Sequence, residues 1–547
     1  MPRGARKRLQ SQLKHKENDA KLPEYRKIQI SEFFKERKHL AGFSNQARAL
    51  YQTVRELVEN ALDATDMHGI FPEILIVIQK VDGYPEYYRV EVEDNGIGVD
   101  PRYVPLLFGK VLYSSKYVLK QSRGTFGIGA KIAIIYGQDT TGYPTEIYTS
   151  PIGSPKIYYF KLKIDIKENT PMVLERKEYH KGSNNWHGTR ISLVIKGDWS
   201  RSKSKIHDYI KRTAIVTPYA TITLIDPDNT VTVYRRVLNK LPKSPVEAKL
   251  HPHGVDFEKL RELMSKSNAD TLYEFLVETF QGVGRQTALD FLHYLKINPN
   301  SKLKELDEDS IRKLVEALKT YKKFRSPKAD SLSPLGVDTI IAGLKAILKP
   351  DIVVAVSRRP SAYSGHPFIV EIGIAYGGEI PSSDEPILLR YTNRVPLLYS
   401  EKSDVAWKIV DPNNFDWKNY LVKFPAPLAV LTHIASTKIP YTELGKESVA
   451  EVPEIEHELR NALRDAARKL RKHLLELERE KEAQKKVITY AKYIPEVAKS
   501  LFTITHTDSL SLEDIQMILL ENMKRRLGLS EEKFSKIVKS FEVKVEE

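Results

Sequence analysis

The chain of 547 residues contains no cysteine, which removes disulfide frameworks, thiolate zinc sites and cysteine nucleophiles together and leads us to expect an intracellular protein. No apolar run approaches the roughly 18 residues of a membrane span, and the basic N-terminus is not followed by the apolar stretch of a secretion signal. The expectation is therefore a cytoplasmic protein with no membrane partner. Internal repeats and low-complexity linkers are also missing, so a solenoid or a long tether is not expected. Metal-ligand spacings are scarce. His251-Pro-His253 has no further ligands at a recognisable spacing, and Asp226-Pro-Asp228-Asn229 reads as a turn between strands.

What is present is globular and basic. Hydrophobic residues make up 41% and charged residues 29%, enough apolar content to bury cores. The length suggests three or four domains. The net charge of +15 makes a polyanion the natural partner class. Part of that excess lies in residues 1–27, where nine Lys or Arg face three acidic residues in a segment with little apolar content. This arm reads as disordered and solvated, able to touch phosphates or simply to fray.

Strand patterns occur at Glu73 to Val81, Tyr87 to Glu93, Glu146 to Thr149, Ile157 to Ile164, Thr189 to Ile195 and Ala220 to Ile225, with helices between some of them. That mixture over 28–245 implies an α/β sandwich. Over 246–323 the strands stop and four short helices read as an all-helical insert, the last from Asp309 to Lys322. Strands resume over 324–490 with a crossover helix. A heptad-like series from Ile455 to Leu477 then predicts one helix from Pro453 towards Tyr490, on the order of 55 Å long. Such a helix could lie on its sheet or act as a lever. A helical tail in 491–547 opens with a capping pattern at Ser511 to Asp514.

Three stretches carry chemistry. In RALYQTVRELVENALDA, the apolar residues Leu50, Val54, Leu57, Val58, Ala61 and Leu62 share one helix face, and Glu56, Asn60 and Asp63 share the other. Periodicity alone would make the polar face a solvated one. In YRVEVEDNGIG, Asp94 shares strand parity with Tyr88, Val90 and Val92, so it points into the core and needs a donor. A backbone amide or the amino group of an adenine would serve. The glycines of Asn95-Gly96-Ile97-Gly98 let a flat ligand approach the backbone. In SSKYVLKQSRGTFGIGAKI, the loop holding Gly124, Gly127 and Gly129 runs into an apolar helix, placing free amides where phosphate oxygens bind. It is not a Walker A loop, because Ala130 precedes Lys131 and no Ser or Thr follows the lysine.

In that order the three stretches resemble the GHKL ATPases, the superfamily of gyrase B subunits, MutL-type repair proteins, large heat-shock chaperones and histidine kinases. VEDNGIGV, FGKVLYSSKY, RGTFGIGAKIA, FRSPKADSL, GHPFIVE and STKIPY narrow the resemblance to the B subunits of type IIB (topoisomerase VI) enzymes, from about Ser31 to Ser500. The resemblance implies a Bergerat-fold ATPase domain, a helix-two-turns-helix insert and a transducer with a long helix. It implies Glu56 as general base and Asn60 as the Mg²⁺ ligand. Asp94 would read the adenine with Thr189 as helper, and Gly98 would belong to the adenine turn. Ser115 and Lys116 would lie in a lid. Gly124, Thr125, Phe126, Gly127, Ile128, Gly129, Ala130 and Lys131 would wrap the phosphates of ATP. Lys446 would reach the γ-phosphate from the transducer, with Lys438 as competitor. It further implies an ATP-dependent homodimer, double-stranded DNA as substrate and an A subunit that cuts it, in an A₂B₂ heterotetramer. Another GHKL machine, of mismatch-repair or chaperone type, is the alternative.

Overall fold

The computed structural model describes residues 30–37, 42–114, 120–124, 127–183, 185–443, 446–505 and 511–527. They fall into two compact units. The first is formed within Met1–Val118, Ser122–Ile210 and Ala220–Arg235, the second within Leu119–Gln121, Lys211–Tyr219 and Arg236–Glu547. The basic arm of 1–27 lies outside the described residues.

The first unit opens with α1 (Ile30–Glu36) and α2 (Gln46–Thr65). The side chain of Asn45 caps α2 by accepting from the Arg48 amide at 2.9 Å. Next come β1 (Glu73–Val81), β2 (Tyr84–Glu93), α3 (Val104–Gly109), α4 (Gly129–Thr141), β3 (Thr145–Ser150), β4 (Lys156–Asp165), β5 (Thr170–His180) and β6 (Gly188–Lys196). The unit ends with α5 (Trp199–Val216), which runs on into the second unit, then β7 (Thr221–Ile225) and β8 (Val231–Tyr234). The eight strands form one sheet in the order β5-β4-β3-β6-β2-β1-β7-β8. Only β1 and β7 pair in parallel.

Packing follows strand parity. Ile74, Ile76 and Ile78 of β1 are buried, as are Tyr88, Val90, Val92 and then Asp94 along β2. These meet α2, which touches β1, β2 and β6 and packs beside α4. Val54, Leu57, Val58 and Leu62 of α2 are buried, each adding roughly 1.5–3 kcal/mol of apolar transfer. The face that periodicity alone would leave to solvent is not solvated: Asp63 is buried and Glu56 and Asn60 are half-buried, while beside them Arg55 and Glu59 are buried too, and Glu59 and Asp63 each have a guanidinium partner. β5 escaped the sequence reading because it is an edge strand with most residues exposed, so its apolar residues show no buried alternation.

In the second unit, α6 (Phe257–Lys266), α7 (Leu272–Thr279), α8 (Arg285–Leu295) and α9 (Glu308–Thr320) share a core built around Leu260, Phe275, Phe291 and Leu314. Thr271 and Glu274 form a capping box at the start of α7. Then follow α10 (Val337–Leu348), β9 (Ile352–Ser357), β10 (Ser361–Tyr363), β11 (His366–Tyr376), β12 (Ile387–Thr392), β13 (Val395–Leu397), α11 (Val405–Val410) and β14 (Leu428–Ser436). Their sheet runs β10-β11-β14-β12-β13, with β9 also on β11. β12 and β14 are parallel, and α11 lies in the crossover between them.

β11 and β14 are buried along nearly their whole length, yet Glu371 and His433 face each other across them. His433 Nδ1 donates to Glu371 at 2.8 Å, and the carboxylate also accepts from the amides of Leu335 and Gly336. Burial works against this carboxylate, but the imidazole and the amides hold it below the usual carboxylate range. Arg390 is likewise buried against Asp404.

The long helix, α12 (Pro453–Thr505), has 53 residues, about 80 Å, and continues past Tyr490, where the expected helix ended. Ile455, Leu459, Leu463, Ala466 and Leu470 are buried against the sheet core, whereas Leu477 is exposed. The first part of the helix thus lies on its sheet, one of its two expected readings. α13 (Leu512–Leu527) starts at Ser511, whose hydroxyl receives the Asp514 amide. Among the described residues, no helix is long and apolar enough to cross a membrane.

Candidate active site

Glu56 and Asn60 stand one turn apart on α2, both half-buried. Gln52, a turn earlier, donates from Nε2 to Glu56 Oε1 at 2.8 Å and fixes one carboxylate oxygen. The other lies against the first residue of α4: a Cβ added to Gly129 would fall 1.7 Å from Glu56 Oε2. A methyl group there would have to displace the carboxylate, so Glu56 rests at the N-terminus of a helix because that residue is glycine. At that end the amides of Gly129, Ala130 and Lys131 precede the first i to i−4 acceptor, and the Ile132 amide is the first to bond back, to Ile128. The result is a carboxylate beside an anion-binding helix start.

The loop before α4 is braced from both sides. Lys131 is buried, and its ammonium donates to the carbonyls of Gly127 at 2.6 Å and Tyr113 at 2.7 Å. It thus ties the loop's own backbone. Gly127 has φ +58°, and a Cβ there would fall 2.2 Å from Ser114 Oγ. Ser122 Oγ donates to the Gly124 carbonyl. Arg123 forms a buried fork, donating to Asp63 at 2.9 Å and to Asp66 at 3.0 and 2.6 Å. Ser115, Lys116, Thr125 and Phe126 lie outside the described residues.

Just past the end of β2, Asp94 is buried. Its Oδ1 accepts from the amides of Gly96 at 2.8 Å and Thr189 at 3.2 Å. Among the described residues Oδ2 has no hydrogen-bond partner, which leaves one acceptor for a ligand donor. Burial pushes the carboxyl up to about 7, against the opposing pull of the two amides. Thr189 Oγ1 meets Thr149 Oγ1 at 3.3 Å, and Thr149 Oγ1 also accepts from the Val99 amide. Gly98, at φ +69°, passes so close to Ser150 that a Cβ would sit 2.2 Å from its carbonyl oxygen. His187 Nδ1 lies 2.7 Å from the Gly96 carbonyl and steadies the same turn.

Lys446 belongs to the second unit, in a turn where its amide donates to the Glu443 carbonyl and its φ is +56°. That backbone is strained for a lysine, a feature that clusters at functional loops. Lys438 lies beyond β14 and lines a separate cavity in the same unit.

Residues 45–164 match the family described as histidine kinase-, DNA gyrase B- and HSP90-like ATPases, and residues 327–486 match the topoisomerase VI B subunit transducer. A relative from Saccharolobus shibatae, named as the B subunit of type 2 DNA topoisomerase 6, is 52% identical over 475 residues, 86% of this chain and 89% of its own length. The protein of that name from Saccharolobus solfataricus is 52% identical over 473 residues, with the same shares. The chain belongs to the family of topoisomerase 6 B subunits. Its first unit therefore carries an ATP-binding domain, and the family implies an A-subunit partner and pairing of two B subunits.

Beyond the residues singled out in the sequence, Gln52, Arg123, Asp66, Thr149 and His187 brace the stretches that hold them. The i, i+4 spacing of Gln52 and Glu56 is a local signal that could have been read. The pairing of Arg123 with Asp63 and Asp66 spans about sixty residues, and no local pattern announces it.

Proposed function

We propose that the chain is the ATP-hydrolysing subunit of a type IIB topoisomerase, with Glu56 as general base and Asn60 as ligand of a Mg²⁺ ion. The observation that carries this reading is the lodging of Glu56 against Gly129 at the start of α4, one turn from Asn60. Attack by water on a γ-phosphate needs a positioned base and concentrated positive charge. Glu56 would take the water proton as the new P–O bond forms and the bond to the β-phosphate oxygen breaks. When bound, Mg²⁺ would neutralise phosphate charge, and the Asn60 side-chain oxygen suits such a hard cation. The α4 amides would bind the phosphates, and Asp94 Oδ2 would accept from the adenine amino group. Lys446 is the lysine that the family resemblance assigns to the γ-phosphate.

In this reading two copies close on a DNA segment when ATP binds, and α12 carries the closure to the A subunit, which cuts the DNA. The A₂B₂ assembly would relax positive and negative supercoils in the cytoplasm, on nucleoid DNA. Glu56→Ala should keep nucleotide affinity and lose about 10²–10⁴ in turnover. Asn60→Ala should weaken binding of the Mg²⁺-nucleotide itself. Calorimetric titration and steady-state phosphate release separate the two, and normal turnover in Glu56→Ala removes it from the mechanism.

A further inference from the structure

The second unit holds a cavity of about 510 Å³ between the helical insert and the sheet, lined among others by His253, Lys319, Ser364, His366 and Lys438. Its wall is closely fitted. The β10–β11 hairpin turns on Ser364 at φ +43° and Gly365 at φ +76°. A Cβ on Gly365 would lie 2.5 Å from the Gly254 amide, and one on Gly254 would lie 2.9 Å from the Ser364 carbonyl oxygen. Backbone thus meets backbone, and Ser364 is held in a conformation that costs a non-glycine residue energy.

The chemistry lining this cavity is cationic. Neither Lys319 nor Lys438 has a salt-bridge partner among the described residues. The one acid on the wall, Asp256, caps α6 through the Lys259 amide. His253 Nε2 is committed to the Tyr321 carbonyl at 2.9 Å. His366 is buried, and its imidazole is pushed down to about 4, first by that burial and then by the Lys438 ammonium. Two ammonium groups therefore face a single carboxylate, already engaged as a helix cap, and leave net positive charge in a cavity of ligand size.

We propose that this cavity binds a phosphate-type oxyanion, held by the Lys319 and Lys438 ammonium groups beside the His366 ring. The phosphate could belong to a nucleic-acid backbone or to a free phosphorylated compound. Charge-assisted contacts supply the affinity. Such an anion would also offset the field of Lys438 on His366 and make the imidazole easier to protonate.

The test uses the full chain saturated with a non-hydrolysable ATP analogue, so that the nucleotide pocket is filled, and pyrophosphate as the probe. Calorimetry should show binding that Lys319→Ala and Lys438→Ala each weaken at least about tenfold, as loss of a charge-assisted contact does. Lys319→Arg should retain it, and Lys322→Ala, an exposed lysine outside the cavity, should leave it unchanged. Both cavity lysines are exposed, so their truncation leaves the core intact. Carbon-13 histidine spectra should show the His366 signal moving on titration. Competition by a short duplex assigns the phosphate to nucleic acid, and its absence assigns it to a free compound. No pyrophosphate binding, or equal weakening by Lys322→Ala, overturns the site.

Discussion

Because the amides of Gly96 and Thr189 both donate to Oδ1 of Asp94, an asparagine at this position has only one orientation that satisfies them. Its carbonyl must take the place of Oδ1, so its NH₂ group faces the ligand where Oδ2 stood. An adenine amino group would then meet a donor instead of an acceptor. Asp94→Asn should therefore fold normally and lose nucleotide affinity by on the order of 10- to 100-fold, the usual cost of a mismatched buried hydrogen bond. The same substitution has a signature without nucleotide. The Asp94 carboxyl rises from 3.8 to about 7 on folding, so between those values the folded chain keeps a proton that the unfolded chain has released. The stability this proton contributes is fully present below about pH 4 and is lost as pH rises through about 7. Urea midpoints from pH 4 to 8 should show that decline in the natural chain relative to Asp94→Asn. Parallel profiles would mean that the carboxyl titrates where an exposed aspartate does.

At the scale of elements, α2 and α4 act as a pair whose close approach depends on one missing methyl group. Adding it, as Gly129→Ala, displaces the far end of a flexible side chain and no backbone, so the fold should survive. The carboxylate it displaces is Glu56, so turnover should drop by about 10²–10⁴, matching loss of the base itself. A melting curve beside an ATPase assay checks both halves. α12 offers a contrast within one helix. Leu463 is fully buried, and Leu463→Ala should cost about 2–5 kcal/mol, whereas Leu477→Ala on the exposed half should stay within about 0.5 kcal/mol. Chemical denaturation of each variant measures this. These elements also show what a sequence can disclose. The inward aim of Asp94 followed from strand parity, and the buried stripe of α12 from its spacing, because both depend on period and on nothing distant. The buried polar face of α2 was hidden because its partner Arg123 is far along the chain. The end of α12 was hidden because the stretch after Leu474 is solvent-exposed and interrupts the stripe before burial returns at Ile494 and Ala498.

For the whole molecule, the proposed function requires that nucleotide state select assembly. A ligand shifts an equilibrium only by its difference in affinity for the two states, and moving it from 1:99 to 99:1 takes about 10⁴-fold, or about 5.5 kcal/mol. In the proposed reading ATP and ADP share the adenine and its contact at Asp94, so that contact cannot supply the difference. Discrimination would then come from the γ-phosphate, which the same reading places where Gly129 and the α4 amides meet Glu56. Pairing two copies also brings together two chains of net charge +15, a repulsion that the bound triphosphates and any enclosed polyanion would offset. Light scattering should therefore find monomers in ADP and dimers in a non-hydrolysable ATP analogue. Glu56→Ala sharpens the test, because a chain that binds ATP without hydrolysing it should accumulate as dimer in ATP itself, while the natural chain cycles back to monomer as its ATP is consumed. Asn60→Ala, deficient in binding, should remain monomeric in both nucleotides at concentrations that saturate the natural chain. Equal mass in ADP and in the analogue, or a Glu56→Ala chain that stays monomeric in ATP, would mean that closure is not driven by the γ-phosphate.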